Sequence, residues 1–467
     1  MTDFHPLISP DNGQAAIDIH ILDKGNFPKW ITAQGAAARA SIHAQKFDGA
    51  PGSLAIFPAE PANGSNGEWA AAIGTAHSQR LDIWTLAKAS ETLPAGTYRL
   101  QGGVAGAAMF GWMLGQYRFD EYRSDPATGG ARILLVNEPA RIGDMAEQAA
   151  ATALVRDLVN RPACDLGPQQ LEDHVRHLAK DHKAEITVAS GAALESGYPM
   201  IHAVGKAAAR GFAPRLIELE WGDKRHPRIA VIGKGITFDS GGLDIKSAAG
   251  MRIMKKDMGG AAHAIALAQM IMRARLPVRL HLLIAAAENC ISGAALRPGD
   301  IIKSRAGITV EIDNSDAEGR LVLCDAITKA GENQPELIAD YATLTGAARV
   351  ALGPDLPAMF ANDDALAETI LRLGTEMGDP CWRMPLWDDY ADMLSSDIAD
   401  TANSGGSFAG SITAALYLKK FVPDNIPWIH FDTYAWRAAS KPGRPKGGEA
   451  LGLRALFGYL AQTYPAR

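Results

Sequence analysis

The sequence has few cysteines, no long apolar run and no N-terminal leader pattern. Its four cysteines, Cys164, Cys290, Cys324 and Cys381, lie far apart without a CxxC pair, which favours reduced, mostly buried thiols over disulfides or a thiolate zinc site. No run approaches the roughly 20 apolar residues that span a bilayer. The segment 1–13 has neither the basic nor the apolar part of a signal peptide. We therefore expect a cytoplasmic protein with no membrane partner.

The sequence also lacks a basic excess, since 46 Lys and Arg stand against 52 Asp and Glu. Nucleic-acid binding domains normally carry a basic excess or stripe, so the composition disfavours a nucleic-acid partner. Hydrophobic residues make up 47% and charged residues 21%, as is typical of folded globular chains. A chain of 467 residues is too long for one compact core. We predict two domains, over residues 1–158 and 159–467.

Short apolar runs alternate with Ala-rich helical stretches along the chain. This alternation is typical of α/β domains in which a mostly parallel or mixed sheet is flanked by helices, and we predict that class for both domains. The predicted strands cover 15–22, 53–58, 97–102, 131–136, 228–233, 278–285, 308–312 and 337–342. The predicted helices cover 31–46, 104–113, 144–160, 258–275 and 321–330, and helix 144–160 connects the domains.

Reactive side chains concentrate in two parts of the predicted second domain. The first part is GKGITFDSGGLDIK (233–246) followed by KKDMGG (255–260), and the second is NSDAEGR (314–320). Each part begins directly after a predicted strand, so we expect both at the carboxyl edge of the sheet, where such folds bind ligands. Their glycines are expected to let loop backbone approach a ligand closely.

These segments would place four carboxylates, those of Asp239, Asp257, Asp316 and Glu318, at one edge of one sheet. Unpaired, the carboxylates would repel one another, and two divalent cations would leave the cluster near neutrality. Oxygen ligands suit hard ions such as Mg²⁺ or Mn²⁺, while Zn²⁺ also accepts them. The alternative is that they are ordinary helix N-terminal residues, since Asp257 and Asp316 each precede a predicted helix. The four together, framed by glycines, favour the metal site.

At these residues the sequence resembles the leucyl aminopeptidase, or cytosol aminopeptidase, family. The hallmark of that family is NTDAEGR, from which NSDAEGR differs only at Ser315, and GKGITFDSGGL and KKDMGGAA match at the family spacing. The resemblance runs from about residue 160 to about residue 432. It implies a hydrolase, a metal-dependent aminopeptidase whose C-terminal domain removes the first residue from peptides with a free N-terminus. It also implies a homohexamer and two divalent ions per subunit, Mn²⁺ or Zn²⁺.

The resemblance also implies which residues hold the metals. Lys234 and Asp257, together with Asp239 and Glu318, would hold the tighter ion. Asp316, with the same two carboxylates, would hold the more exchangeable ion, so that Asp239 and Glu318 bridge the pair. Lys234 can bind a cation only as the neutral amine, which requires a strongly lowered pKa.

Lys246 and Arg320 match the two catalytic residues of the family. Lys246 would remain charged and stabilise the oxyanion that forms at the scissile carbonyl. A guanidinium cannot act as a base near neutral pH, and the resemblance implies that Arg320 holds a bicarbonate ion that shuttles the proton. The implied substrate contacts are Met254, in the pocket for the first side chain, and Thr343, Leu344 and Gly346.

The C-terminal part departs from the family pattern at HFDTYAW (430–436) and GGEALG (447–452). Because this region contributes to the substrate pocket in relatives, a preference for leucine stays open. His430 is predicted to be a core histidine, and the HxxH pair of His174 and His177 is predicted to lie on a solvated helix face. Two alternatives stay open: a binding or regulatory protein on the same scaffold, and a narrow dipeptidase, for example on Cys-Gly.

Overall fold

The computed structural model describes residues 3–59, 69–125 and 129–466. Its contacts divide the chain into two compact units, Met1–Ala153 with Ala439–Lys446, and Leu154–Ala438 with Gly447–Arg467. The division falls within one long helix, Pro139–Asn160, and the boundary predicted after residue 158 stays a prediction. Each unit is built on a mixed sheet with helices along it, which confirms the predicted fold class.

The first unit contains a six-stranded sheet. Its strands are β1 (Ile8–Pro10), β2 (Ile17–Leu22), β3 (Leu54–Pro58), β4 (Trp69–Gly74), β5 (Gly96–Gln101) and β6 (Arg132–Val136). Its helices are α1 (Phe27–Thr32), α2 (Ala36–Ala44), α3 (Ala87–Thr92), α4 (Ala108–Leu114) and most of α5 (Pro139–Asn160). The order is β1-β6-β5-β2-β4-β3, and every pair is parallel except β3 with β4.

Two predictions for the first unit were wrong in detail. The single helix predicted over 31–46 is two helices, because the chain is extended at Gly35 and α2 begins after it. Strand β4 was missed because its sequence, WAAAIG, is rich in alanine, the strongest helix former. Five of its six residues are buried in the sheet, so tertiary packing overrides that local preference.

The second unit contains an eight-stranded sheet and two small ones. The strands are β7 (Glu185–Ser190), β8 (Arg215–Trp221), β9 (Arg228–Asp239), β10 (Arg279–Asn289), β11 (Ile301–Lys303), β12 (Thr309–Glu311), β13 (Leu337–Ala342), β14 (Ala358–Ala361), β15 (Trp382–Arg383), β16 (Thr401–Ala402), β17 (Trp428–Asp432), β18 (Trp436–Arg437) and β19 (Gly447–Gly448). The helices are α6 (Pro168–His182), α7 (Gly191–Gly197), α8 (Pro199–Gly205), α9 (Ala248–Met251), α10 (Gly259–Arg273), α11 (Glu318–Gly331), α12 (Gly346–Leu352), α13 (Asp364–Glu376), α14 (Gly410–Lys419) and α15 (Leu453–Thr463).

The large sheet has the order β15-β14-β17-β13-β9-β10-β8-β7. Its four central strands, β17, β13, β9 and β10, are parallel, so their carboxyl ends meet at one edge. Alternate residues of β9 face opposite sides: Ala230 and Ile232 lie in the core that contains α8 and α11. Gly233 faces α10, where an added Cβ would come within 2.6 Å of the Ala261 Cα. Glycine therefore lets α10 pack closely on the sheet.

The structure corrects how the two reactive segments are attached to this sheet. Strand β9 continues to Asp239 instead of ending at Gly233, so the residues 233–235 lie inside a strand and not in a loop. NSDAEGR follows β12, which belongs to a separate three-stranded sheet with β11 and β16. The prediction that both segments follow strands of one sheet was therefore wrong for the second segment.

The cysteines agree only in part with the prediction of reduced, mostly buried thiols. All four cysteines are free. Cys324 and Cys381 are buried, Cys290 is partly buried and Cys164 is exposed. Within the described residues, no helix is both long enough and apolar enough to cross a membrane.

Candidate active site

Strand β9 carries the first two residues of the site, Lys234 and Asp239. Lys234 shares a strand face with Ala230 and Ile232, the face toward α11, and its side chain is only 2% exposed. Gly319, in the first turn of α11, makes room for it, since an added Cβ would lie 2.7 Å from the Lys234 Cε. The NSDAEGR segment therefore has glycine at position 319 because a larger residue would collide with the Lys234 side chain.

The Lys234 amine lies between two carboxylates. Its Nζ is 2.6 Å from Asp257 Oδ2 and 2.8 Å from Glu318 Oε1, and it donates a hydrogen bond to the Thr343 carbonyl at 3.0 Å. Asp257 comes from a 3-10 turn at Met254–Met258, and Glu318 is the first residue of α11. Burial lowers the pKa of Lys234, but the two carboxylates outweigh it and hold the pKa above its ordinary value. With no cation beside it, Lys234 is therefore a charged ion-pair partner.

Lys246 occupies the corresponding position between two other carboxylates. Its Nζ lies 2.6 Å from Asp239 Oδ2 and also pairs with Asp316. Burial opposes the charged form, yet the charges of Asp239 and Glu318 raise the pKa of Lys246 above its ordinary value. Lys246 is therefore protonated at neutral pH.

The carboxylates of Asp239, Asp316 and Glu318 form a cluster suited to cations. One oxygen from each lies within 4.8 Å of the others. Burial, reinforced by the charge of Asp239, raises the pKa of both Asp316 and Glu318. Carboxyl groups that resist ionisation for this reason are stabilised as anions when a cation binds among them. The donor set therefore fits a divalent metal held through oxygen atoms.

Asn289, at the end of β10, holds this cluster in place. The sequence-based prediction gave this residue no role. Its amide donates to Asp239 Oδ1 at 2.9 Å and to the Ser315 carbonyl at 3.1 Å. The Gly241 amide also donates to Asp239 Oδ1, at 2.9 Å. The predicted strand stopped at residue 285, whereas β10 runs on to Asn289, and a longer strand would have placed this amide at the carboxyl edge.

Asn289→Ala is expected to lower metal affinity by about 10- to 100-fold, because it removes the two hydrogen bonds that orient Asp239 and join it to the NSDAEGR segment. Metal affinity would be measured by competition with a chromogenic chelator. Asn425→Ala, at an exposed asparagine that bonds Gln334, is the control and should leave affinity unchanged. Equal affinity in the native protein and Asn289→Ala would contradict the role assigned to Asn289.

A cavity of about 400 Å³ joins these groups. Its lining includes the five residues predicted to hold metal, which are Lys234, Asp239, Asp257, Asp316 and Glu318. It also includes Lys246 and the four predicted substrate contacts, which are Met254, Thr343, Leu344 and Gly346. Among the other lining residues, Lys256, Arg349 and Tyr434 had no role in the sequence-based prediction. Tyr434 belongs to the HFDTYAW segment that departs from the family pattern.

Arg320 is the predicted site residue that does not line this cavity among the described residues. It is 8% exposed, and its Nη1 donates to the Asn403 carbonyl at 2.8 Å. Its Nε is buried without a hydrogen-bond partner in the described part of the chain. His430, by contrast, is a core histidine as predicted: it is fully buried, and its Nδ1 lies 2.5 Å from Asp340 Oδ1.

Comparison with protein families matches both parts of the chain. Residues 153–457 match the cytosol aminopeptidase family catalytic domain, and residues 17–135 match the M17 aminopeptidase N-terminal domain. The chain is 42% identical over 405 residues to a probable cytosol aminopeptidase of Roseiflexus castenholzii, covering 83% of this chain and 82% of that protein.

Solved structures show the same likeness over nearly the whole chain. The cytosol aminopeptidase of Coxiella burnetii matches with a TM-score of 0.90 and 42% identity, covering 98% of this chain and 99% of that one. The bottromycin maturation enzyme BotP in complex with Mn matches with a TM-score of 0.84 and 33% identity, covering 96% and 100%. A tomato leucine aminopeptidase mutant matches with a TM-score of 0.84 and 26% identity, covering 97% and 96%.

Proposed function

Because this chain belongs to the cytosol aminopeptidase family, a family of metal-dependent hydrolases acting on peptides, we propose that it removes N-terminal residues with two divalent cations. The observation that carries this proposal is the cavity in which Lys234 and Lys246 meet four carboxylates. The complex of BotP with Mn supports Mn²⁺ as one of the cations, with Zn²⁺ as the alternative.

We propose that these residues hold two cations, divided between them as the family resemblance implies. Lys234 and Asp257 are in contact at 2.6 Å and would hold one cation together with Asp239 and Glu318. Asp316 would hold the other with the same two carboxylates, whose oxygens already lie within 4.8 Å of an Asp316 oxygen. Lys234 would bind through the neutral amine, after giving its proton from Nζ to solvent. When bound, the cations supply Lewis acidity and lower the pKa of the attacking water.

The chain's own residues orient the peptide and stabilise charge. Lys246 lies beside Asp239 and Asp316 on the cavity wall, and its ammonium can donate a hydrogen bond to the oxyanion that develops on the scissile carbonyl. Met254, Thr343, Leu344 and Gly346 line the cavity and would border the first residue of the peptide.

For Arg320 we propose the bicarbonate role that the family resemblance implies. Its buried Nε, without a partner among the described residues, supports this, because a guanidinium fork with a free donor suits a small oxyanion. Bicarbonate on this guanidinium would accept the proton that the attacking water gives up.

Removal of metal by a chelator is expected to abolish hydrolysis of aminoacyl p-nitroanilides, because the water cannot be activated without a cation. Addition of Mn²⁺ or Zn²⁺ to the same sample should restore it. The release of p-nitroaniline across several first residues, with and without metal, measures both effects. A metal-loaded protein that is inert on a broad panel of dipeptides and aminoacyl amides would overturn the proposed function.

We also propose that the chain forms a homohexamer in the cytoplasm. The family resemblance implies this assembly, and large apolar side chains exposed on the second unit, Ile398 at 62% and Phe408 at 77%, are available for contacts between copies. Light scattering would show a mass six times that of the chain. A monomeric mass at the same concentration would contradict assembly but not catalysis.

A further inference from the structure

One stretch of the cavity wall is cationic and aromatic instead of apolar. It consists of Lys256, Arg349 and Tyr434, here called the cationic wall. The Lys256 Nζ lies 5.1 Å from the centre of the Tyr434 ring, and the Arg349 guanidinium lies 5.1 Å from the same ring. A pocket made to accept only leucine-like side chains would have apolar groups in these positions.

Lys256 is a buried lysine whose amine makes no hydrogen bond to another described residue. Its side chain is 5% exposed, and no acceptor among the described residues lies within hydrogen-bond distance of its Nζ. The Asp257 Oδ1 is 3.8 Å away, but that carboxylate is already engaged by Thr343 at 2.7 Å and by Lys234 at 2.6 Å. Because Lys256 borders the cavity, an anionic ligand there would accept hydrogen bonds from this amine and would stabilise its charged form.

Two further donors are available beside Lys256. Arg349 Nη1 donates to the Tyr434 hydroxyl oxygen at 3.2 Å, so the Tyr434 hydroxyl hydrogen remains available for a ligand. Arg349 is exposed and carries a permanent charge. The nearby buried carboxylate of Asp432 already accepts hydrogen bonds from Thr345 and from the Leu344 amide.

We propose that the cationic wall binds a carboxylate carried by the peptide substrate, an inference that rests on the proposed aminopeptidase function. Two parts of a peptide can supply that group. One is the side chain of an N-terminal aspartate or glutamate, and the other is the C-terminal carboxylate of a dipeptide. In either case the carboxylate accepts hydrogen bonds from Lys256 and Tyr434. A neutral group leaves these donors unpaired, and a site discriminates strongly against a ligand that does so.

Two matched pairs of substrates separate these sources. Glutamyl and glutaminyl p-nitroanilides differ in the charge of the first side chain and lack a C-terminal carboxylate. Leucyl-glycine and leucyl-glycinamide differ only in the C-terminal charge. The native, metal-loaded protein is expected to prefer the charged member of one pair by at least about tenfold in kcat/KM.

Lys256→Met and Arg349→Gln are expected to reduce this preference toward one. The preference is a ratio within a single variant, so partial loss of metal or of folded protein cancels from it. Lys255→Met is the matched control, because Lys255 is the neighbouring lysine, lies outside the cavity lining and donates to the Asn160 carbonyl. It should keep the native preference.

Ratios near one for both pairs in an active native protein would overturn the carboxylate site and leave the aminopeptidase function standing. A native preference that survives in both Lys256→Met and Arg349→Gln would overturn it equally. If the metal-loaded protein hydrolysed neither these four substrates nor any member of the broad panel of dipeptides and aminoacyl amides, the proposed function itself would fail. Calorimetric titration with two pairs, L-glutamate against L-glutamine and leucyl-glycine against leucyl-glycinamide, would then decide the carboxylate site, since equal binding within both pairs would rule it out.

Discussion

Lys246→Met is expected to retain bound metal while its kcat falls by about 100- to 1,000-fold, the usual cost of removing one preorganised donor from a developing oxyanion. The Lys246 Nζ lies on the cavity wall beside Asp239 and Asp316. Cations held by those carboxylates would neutralise them, and the ammonium would then be free to face the scissile carbonyl. Methionine has a similar length but carries neither the charge nor the donors.

Two measurements separate this role from metal binding. The turnover of a leucyl p-nitroanilide reports the chemistry, and elemental analysis after gel filtration reports metal content. Lys246→Arg, which keeps a positive charge but not the compact ammonium, should fall between the native protein and Lys246→Met. A fall in metal content that parallels the fall in kcat would show that Lys246 serves mainly to hold the metal site together.

Lys234→Met is expected to destabilise the metal-free protein by about 3–5 kcal/mol, the range found when one partner of a buried ion pair is removed. The Lys234 amine is buried between Asp257 and Glu318. Without it, both carboxylates would stay in the interior with their countercharge gone. The same variant is expected to lose metal affinity, since Lys234 is a proposed ligand.

Urea unfolding in the presence of a chelator measures this effect without a contribution from bound metal. Lys419→Met is the control, because Lys419 pairs with Asp388 at 2.8 Å on the surface, where an ion pair contributes about 0–1 kcal/mol. Its unfolding midpoint should stay close to the native value. Equal shifts in the two variants would show that the buried pair contributes no more than an exposed one.

The sequence by itself was enough for the fold class and for the family. Regular alternation of apolar runs and helical stretches indicated two α/β units, because strand and helix periods are local properties of the chain. Acidic residues between glycines indicated a cation site, since the side-chain types alone limit what can bind. The resemblance around NSDAEGR identified the family that the comparisons confirm.

Local pattern also misled where packing decided the outcome. The alanine-rich strand β4 was not predicted, and Lys234 was predicted to lie in a loop although it lies within β9. A buried lysine in the middle of a strand contradicts local preference, and it is accommodated only because Gly319, 85 residues later in the chain, leaves room for its stem.

Tertiary structure alone decided which distant groups share the cavity. Asn289 meets Asp239 across 50 residues of chain, and Tyr434 meets Arg349 across 85; no local period reports such contacts. They depend on strand order and on how helices pack against the sheet, which are set by the whole core. The sequence therefore determined which reactive side chains the chain supplies, and the fold decided which of them share the cavity, because that depends on the distances between residues remote in sequence.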